Sequence, residues 1–368
     1  MENMLGVLEN IESTLLSVHS SRCLLVRNRN ARCGKCASVC TTGALSLNEQ
    51  GISVDFTKCI GCGTCATACP SCALEAKNPT DKELSDLCRE KLAANENGVL
   101  DLRCSSYAGA CNKAQNTNVV PDVMCMGRLD ESLLIELVLC GCTKLVLHTG
   151  NCELCPHASG GALAKEVGAS AKGLLSAFGK TLDIETTREP NFEKEQASNV
   201  SLIKEKTAAL HENAPSFEHV NKQGTLSHYV PSRRKRLFKL MDALGKPKKT
   251  EIETRLWGEV SIDVDACKSC QMCAVFCPTG ALKKTGERNE EGASLGVDHC
   301  PALCLQCRSC ESICPAGALT VSKTVQLDDF SHATVKHIEM NPAKWIPNEP
   351  DSIWKKTMPR IGGNYTAF

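Results

Sequence analysis

The chain has 368 residues, enough for two or three domains with their own cores. Its 42 basic and 42 acidic side chains cancel, so no overall field draws it to nucleic acid or to an anionic membrane surface. Its 26 cysteines, in a long chain with only 4% aromatic residues, argue for metal ligation and against the disulfide scaffold of a short secreted domain.

The start, Met1-Glu2-Asn3-Met4-Leu5, has no basic n-region, apolar core or cleavage signal, and no run of eighteen apolar residues occurs. Thiolates that ligate metal must also stay reduced. The expectation is a soluble cytoplasmic protein without a membrane span, in keeping with anaerobic metabolism. Leu5, Leu8, Ile11, Leu15 and Val18 stand at helical spacing and predict an N-terminal helix within residues 1–22. A first cysteine block covers 23–80, where 44–47 and 52–55 flank Asn48-Glu49-Gln50-Gly51 and predict a hairpin. Cys23-Leu24-Leu25-Val26-Arg27 reads as a strand-like run.

Residues 99–102 and 145–147 look like buried strands, and 131–139 and 161–178 like amphipathic helices. Their alternation predicts a small α/β domain with a parallel sheet over 95–180. Residues 181–255 read as a polar linker that ends in a basic amphipathic helix at 233–241. That helix is either a solvated face or a docking element for an acidic partner. A second cysteine block covers 256–324. The segment 325–368, with Trp345 and Trp354, reads as an extended tail along a partner or along the chain's own domains. The fold class is therefore α+β, with two cysteine blocks flanking a small α/β domain.

Three runs share one spacing: Cys59, Cys62, Cys65, Cys69-Pro70; Cys267, Cys270, Cys273, Cys277-Pro278; and Cys304, Cys307, Cys310, Cys314-Pro315. A tight loop presents thiols three apart to three corners of a cubane cluster, and the fourth cysteine lies beyond comfortable reach of the same cluster. Zinc ribbons use separated Cys-x-x-Cys pairs instead. A fourth run is incomplete: Cys33, Cys36 and Cys40 are present, but residue 30 is Asn. Either an enlarged loop lets Cys23 supply the missing thiolate, or Cys23 is structural and one cluster keeps an open iron corner. Each run is followed by a matching segment: Thr42-Gly43-Ala44-Leu45, Ser71-Cys72-Ala73-Leu74, Thr279-Gly280-Ala281-Leu282 and Ala316-Gly317-Ala318-Leu319. The Gly is expected to permit close backbone approach. Cys72 in place of Gly, and Thr41 in place of Pro, make the first block the more divergent. Cys300 is either a free buried thiol or an alternative to Cys304.

Each block resembles the two-cluster bacterial ferredoxins over about 60 residues, with the fourth cysteine of each run crossing to the other cluster. The resemblance implies two ferredoxin-like dicluster domains and four 4Fe–4S clusters. Their ligands would be Cys23, Cys33, Cys36 and Cys69; Cys59, Cys62, Cys65 and Cys40; Cys267, Cys270, Cys273 and Cys314; and Cys304, Cys307, Cys310 and Cys277.

Between the blocks lie the stretch beginning Cys104-Ser105-Ser106-Tyr107, the stretch Met124-Cys125-Met126-Gly127-Arg128, and His148-Thr149-Gly150-Asn151-Cys152. About 75 residues here resemble the small iron–sulfur D subunit of methyl-viologen-reducing hydrogenases. That resemblance implies a 2Fe–2S cluster on Cys104, Cys125, Cys152 and Cys155. The family's first cysteine pair is reduced to Cys104, and the segment before Cys152 is shortened. Two alternatives stand beside it: a docking platform whose cysteines are small buried hydrophobes, or a redox-active thiol.

No Gly-x-Gly-x-x-Gly follows a strand, so flavin or other cofactor chemistry is expected in a partner. The expected function is a non-catalytic electron relay within a larger oxidoreductase complex. The partner subunits would be a flavoprotein, a hydrogenase, a formate dehydrogenase, a heterodisulfide-reductase-like protein, or a tungsten or molybdenum enzyme. The alternatives are a reductase working at the middle-domain cysteines or an open cluster, and a redox sensor. No helix-turn-helix pattern supports the sensor.

Overall fold

Leu16 and Val18 are 2% and 1% exposed and share one face at two-residue spacing, so the segment expected to be an N-terminal helix is extended. The computed structural model describes residues 10–12, 15–28, 31–48, 51–95, 97–105, 122–153, 155, 157–187, 228–285, 296–331 and 333–340. Within these, β1 (Asn10–Glu12) and β2 (Leu16–His19) form an antiparallel hairpin. Residues 11, 15 and 18 satisfy a helical period as well. Antiparallel pairing of β2 with residues 74–76 decides for strand, because it satisfies the backbone groups of both segments.

The front block continues with α1 (Leu24–Arg27), α2 (Lys35–Ser38), β3 (Leu45–Asn48), β4 (Gly51–Val54), α3 (Thr64–Ala68) and β5 (Leu74–Ala76). The run after Cys23 is thus one helical turn, not a strand. The β3–β4 hairpin pairs as expected, from Leu45 with Val54 to Asn48 with Gly51. Helix α4 (Asp81–Ala93) follows behind a capping box, in which Glu83 N–H donates to the Thr80 hydroxyl at 3.2 Å and Thr80 N–H to the Glu83 carboxylate at 2.8 Å.

The middle unit comprises β6 (Val99–Cys104), β7 (Asp122–Val123), α5 (Glu131–Leu139), β8 (Lys144–His148), α6 (Ala158–Ala177) and β9 (Asp183–Thr187). Its strands lie in the order β7-β6-β8-β9, all parallel. Helix α5 starts at Asp130, whose carboxylate accepts from Ser132 N–H at 2.8 Å and Leu133 N–H at 3.2 Å. It is not amphipathic in use: residues 131–137 are all buried, Glu131 and Ser132 included. Its polar side is covered as fully as its apolar side.

What covers it is α7 (Ser232–Leu244), the basic helix expected to present either a solvated face or a docking element for an acidic partner. One side of it is buried on the chain's own elements, while Lys235 and Asp242 are exposed. Arg255 clamps Glu131 at 2.5 and 3.0 Å, and Arg236 of α7 binds Glu136. Leu237, Leu240, Met241 and Leu244 join the middle core, while Phe238 joins the core of the rear block. Burying each such side chain contributes about 1.5–3 kcal/mol. The acidic partner of the basic helix is therefore the chain itself. Residues 183–187, expected as linker, extend the parallel sheet instead.

The rear block contains β10 (Glu251–Glu253), β11 (Glu259–Ile262), α8 (Met272–Val275), β12 (Leu282–Thr285), β13 (Gly296–His299), α9 (Ser309–Ile313), β14 (Leu319–Ser322), β15 (Thr324–Gln326), α10 (Asp328–Ser331) and β16 (Lys336–Glu339). It repeats the front plan: β11 pairs β14 as β2 pairs β5, and β12–β13 form the inner hairpin. The start of the expected tail belongs to this unit, since β16 adds to β13 and β15 to β10. Trp345 and Trp354 lie outside the described residues. Trp257 is fully buried; its indole N–H donates to Ala302 O at 3.1 Å and its ring meets Phe330 edge-on at 4.9 Å. Among the described residues no helix is long and apolar enough to cross a membrane.

Candidate metal centres

In the rear block, Cys270 and Cys273 lie within electrostatic reach of Cys267 and Cys314, and Cys304, Cys307 and Cys310 within reach of Cys277. The last cysteine of each run thus faces the first three of the other. The front block shows the same crossing. Cys23, Cys33 and Cys36 act on one another and on Cys69, whereas Cys59 and Cys65 group with Cys62 and Cys40. Cys23 is 6% exposed at the head of α1, where the N–H groups of Leu25 and Val26 point to its sulfur. Its sulfur stands beside Cys33 and Cys69.

Backbone conformation explains how short loops aim three thiols inward. In three runs the third and fifth positions are left-handed: Gly61 and Gly63 at φ 69° and 72°, Ser269 and Gln271 at 54°, and Gln306 and Arg308 at 49° and 58°. Alternating handedness turns successive N–H groups to one side and makes a nest for anionic sulfur. Ser269 N–H donates to Cys267 Sγ at 3.4 Å, Ala73 N–H to Cys69 Sγ at 3.3 Å, Leu282 N–H to Cys277 Sγ at 3.4 Å and Ala318 N–H to Cys314 Sγ at 3.3 Å. The run around Cys33 lacks this at Gly34, whose φ is −130°. Its loop is built differently from the other three.

The residue three places after each fourth cysteine is also left-handed: Gly43, Cys72, Gly280 and Gly317 at φ 65°, 47°, 70° and 62°. The left-handed dihedral is common to all four positions, and the expected close approach holds at Gly280 but not at Gly43 or Gly317. A Cβ at Gly43 or Gly317 meets nothing within 4 Å, whereas at Gly280 it lies 2.8 Å from His228 Nδ1. Gly317→Ala should cost about 1–2 kcal/mol, the ordinary left-handed penalty. Gly280→Ala should cost more, because His228 must also move. Thermal unfolding of the loaded protein reads the difference, and equal shifts would reject the steric account.

Burial pushes the thiols up, to about 12 for Cys36 and Cys307 and about 11 for Cys270 and Cys304. For Cys40 burial also acts upward, but the Thr42 hydroxyl and the N–H groups of Leu45, Ala44 and Thr42 outweigh it and hold the thiol below its ordinary value. Buried neutral thiols surrounded by inward N–H groups suit a group that takes them as thiolates and releases their protons. Among the described residues no three His, Cys, Asp or Glu side chains converge on one point as a single ion requires.

Cys104 ends β6, Cys125 follows β7, and Cys152 and Cys155 follow β8, so all four lie beyond the carboxyl ends of the parallel strands, where such sheets place ligands. Cys104 and Cys125 stand together, next to Cys62 of the front block. Cys125 packs on Gly160 and Cys152 on Gly161, at the start of α6. Cys155 accepts from His157 N–H at 3.4 Å. Cys140 and Cys142 precede β8, at the amino ends of the parallel strands. Residues 106–121, with Tyr107 and Cys111, lie outside the described residues. Cys300 is apart from the rear sets, with its thiol directed at Ala333 O and its charged neighbours Lys283 and Asp329.

Sequence reasoning missed the charges beneath these sets. Arg128 is 3% exposed and lies under the Gly63 turn, where a Cβ would come within 2.2 Å of its Cδ. Arg128 and Arg233 both bind Asp81, at 2.6 and 2.9 Å. The basic run was visible in the sequence, but its partners were not.

Two regions, residues 29–73 and 266–318, match the family model of the 4Fe–4S dicluster domain. No curated protein matches the chain. The first matched region begins after Cys23, so that thiol rests on geometry alone. With two 4Fe–4S dicluster domains and 26 cysteines, the chain is an iron–sulfur electron-transfer protein.

Proposed function

We propose that the chain is a non-catalytic relay carrying four 4Fe–4S clusters, which pass electrons between subunits of a cytoplasmic oxidoreductase complex. The crossed grouping of the thiols into four sets carries this reading. Each cluster supplies a one-electron store; the chain supplies the thiolates, the inward N–H groups and the exclusion of water. The middle unit adds a 2Fe–2S site on Cys104, Cys125, Cys152 and Cys155, facing a partner such as a hydrogenase, a formate dehydrogenase, a heterodisulfide-reductase-like protein, a flavoprotein, or a tungsten or molybdenum enzyme. Cys104 and Cys125 beside Cys62 also suit a second reading, a thiol pair that reduces a small disulfide.

Anaerobic isolation separates these. The relay predicts roughly sixteen irons per chain, or roughly eighteen with the 2Fe–2S site, and no turnover without a partner. Full occupancy at roughly twelve irons or fewer would sink the four-cluster count, and disulfide turnover by the isolated chain would favour the reductase. Proteins that co-purify with the chain would name the partner.

A further inference from the structure

Where the front and rear blocks meet, a cavity of about 60 Å³ is lined by Lys35, Cys69, Cys72, Arg233, Arg234 and Leu305 among others. Tyr229 ties its two sides together. Its hydroxyl stands 2.7 Å from Ser71 O and 3.0 Å from Arg22 O, and its N–H donates to Pro278 O at 3.0 Å. The turn after Cys69 is thereby fastened to the turn after Cys277.

Arg234 is 5% exposed, lies 4.5 Å from the centroid of the Trp257 ring, and donates to Leu256 O. Its Nη1 has no hydrogen-bond partner among the described residues. The groups facing it are the sulfurs of Cys304 and Cys72 and the carboxylate of Glu131, which is already held by Arg255. A buried guanidinium without a carboxylate of its own is costly. Negative charge on Cys304, as a ligand thiolate, would offset that cost. Lys35 acts on Cys33 of one set and Cys307 of the other, but it is exposed and more screened.

We propose that this junction joins all four centres into one path and that Arg234 is its positioning residue, a fixed positive charge that raises the reduction potential of the centres on either side. The inference rests on the four-cluster relay. The path runs from the Cys62 set, beside Cys104 and Cys125, to the Cys36 set, across the junction to the Cys304 set, and on to the Cys273 set. Its inner steps are the approach of Cys65 to Cys36 and of Cys310 to Cys273. At the junction one electron moves, oxidising one centre as it reduces the other, with no bond or proton transferred. A cation near both favours their reduced, more negative forms.

The test is an EPR-monitored redox titration of the fully loaded chain, in wild type, Arg234→Gln and Arg234→Lys. With iron content unchanged, Gln should lower the midpoints of the two junction centres, and Lys should keep them near wild type. Four unchanged midpoints in the Gln protein would overturn the proposal. If that variant fails to hold iron, Lys35→Gln decides. A smaller fall at the same two centres supports the junction, and no change rejects it. Wild type with fewer than four cubane clusters would instead remove the relay reading on which the junction depends.

Discussion

Replacing Cys23 with serine should remove or alter one of four cubane clusters, lowering bound iron from roughly sixteen to roughly twelve per chain if it is lost. The expectation comes from position. Cys23 is displaced from the regular spacing, yet α1 turns the chain so that its sulfur lies with Cys33, Cys36 and Cys69. A free buried thiol in that place would leave three donors and an unmet iron corner. Cys88→Ser is the control. Cys88 is fully buried in the middle core, beside Glu136, Arg236 and Cys142, and belongs to no thiol set. Its replacement should cost stability and leave iron and EPR spectra unchanged. An intact four-cubane signal from the Cys23 variant would reject the ligand assignment.

Asp81→Ala should destabilise the loaded protein by about 3 kcal/mol, the lower end of the cost of breaking a buried ion pair. The lower end applies because 29% of the Asp81 side chain is exposed, against 3% for Arg128 and 13% for Arg233. The variant leaves Arg128 with the Pro79 carbonyl at 3.2 Å and no carboxylate, and Arg233 with Asp130 at 3.7 Å. Arg128 supports the Gly63 turn and Arg233 donates to Ala66 O at 2.6 Å, so the loop carrying Cys62 and Cys65 should loosen. Iron should leave the variant faster on challenge with a chelator, and thermal unfolding should begin several degrees lower. Burial alone would raise the Asp81 pKa, but Arg233 and Arg128 outweigh it and hold the carboxyl well below the usual carboxylate range. Its stabilisation is therefore fully present above the unfolded value of about 3.9 and is lost as pH falls through the folded pKa. The gap between wild type and variant should be flat from neutral pH to about 5 and narrow only in stronger acid. A gap that closed near neutral pH would point to another group.

Elements held by local pattern were legible in the sequence. The helix at 131–139, the 45–54 hairpin and the strands at 99–104 and 144–148 all follow from periodicity and turn residues. Helix α4 is equally legible there, because Thr80-Asp81-Lys82-Glu83 is a capping-box signature. The N-terminal segment was not legible in the same way. A few apolar residues satisfied both periods there, and a partner strand at 74–76 made the choice.

By itself the sequence determined the donor type, because a thiol at every third residue is a local pattern; the crossing of fourth cysteines was what the ferredoxin resemblance implied. Tertiary structure decided what spacing cannot carry. It brought Cys23 to Cys69, buried one side of the basic helix with Arg236 on Glu136, and set the turn after Cys69 in the front block beside Leu305 of the rear. Those outcomes depend on long-range burial. The cations of α7 gain more from the acidic face of α5 than from water only once apolar neighbours such as Leu237, Leu240 and Trp257 have closed over the contact.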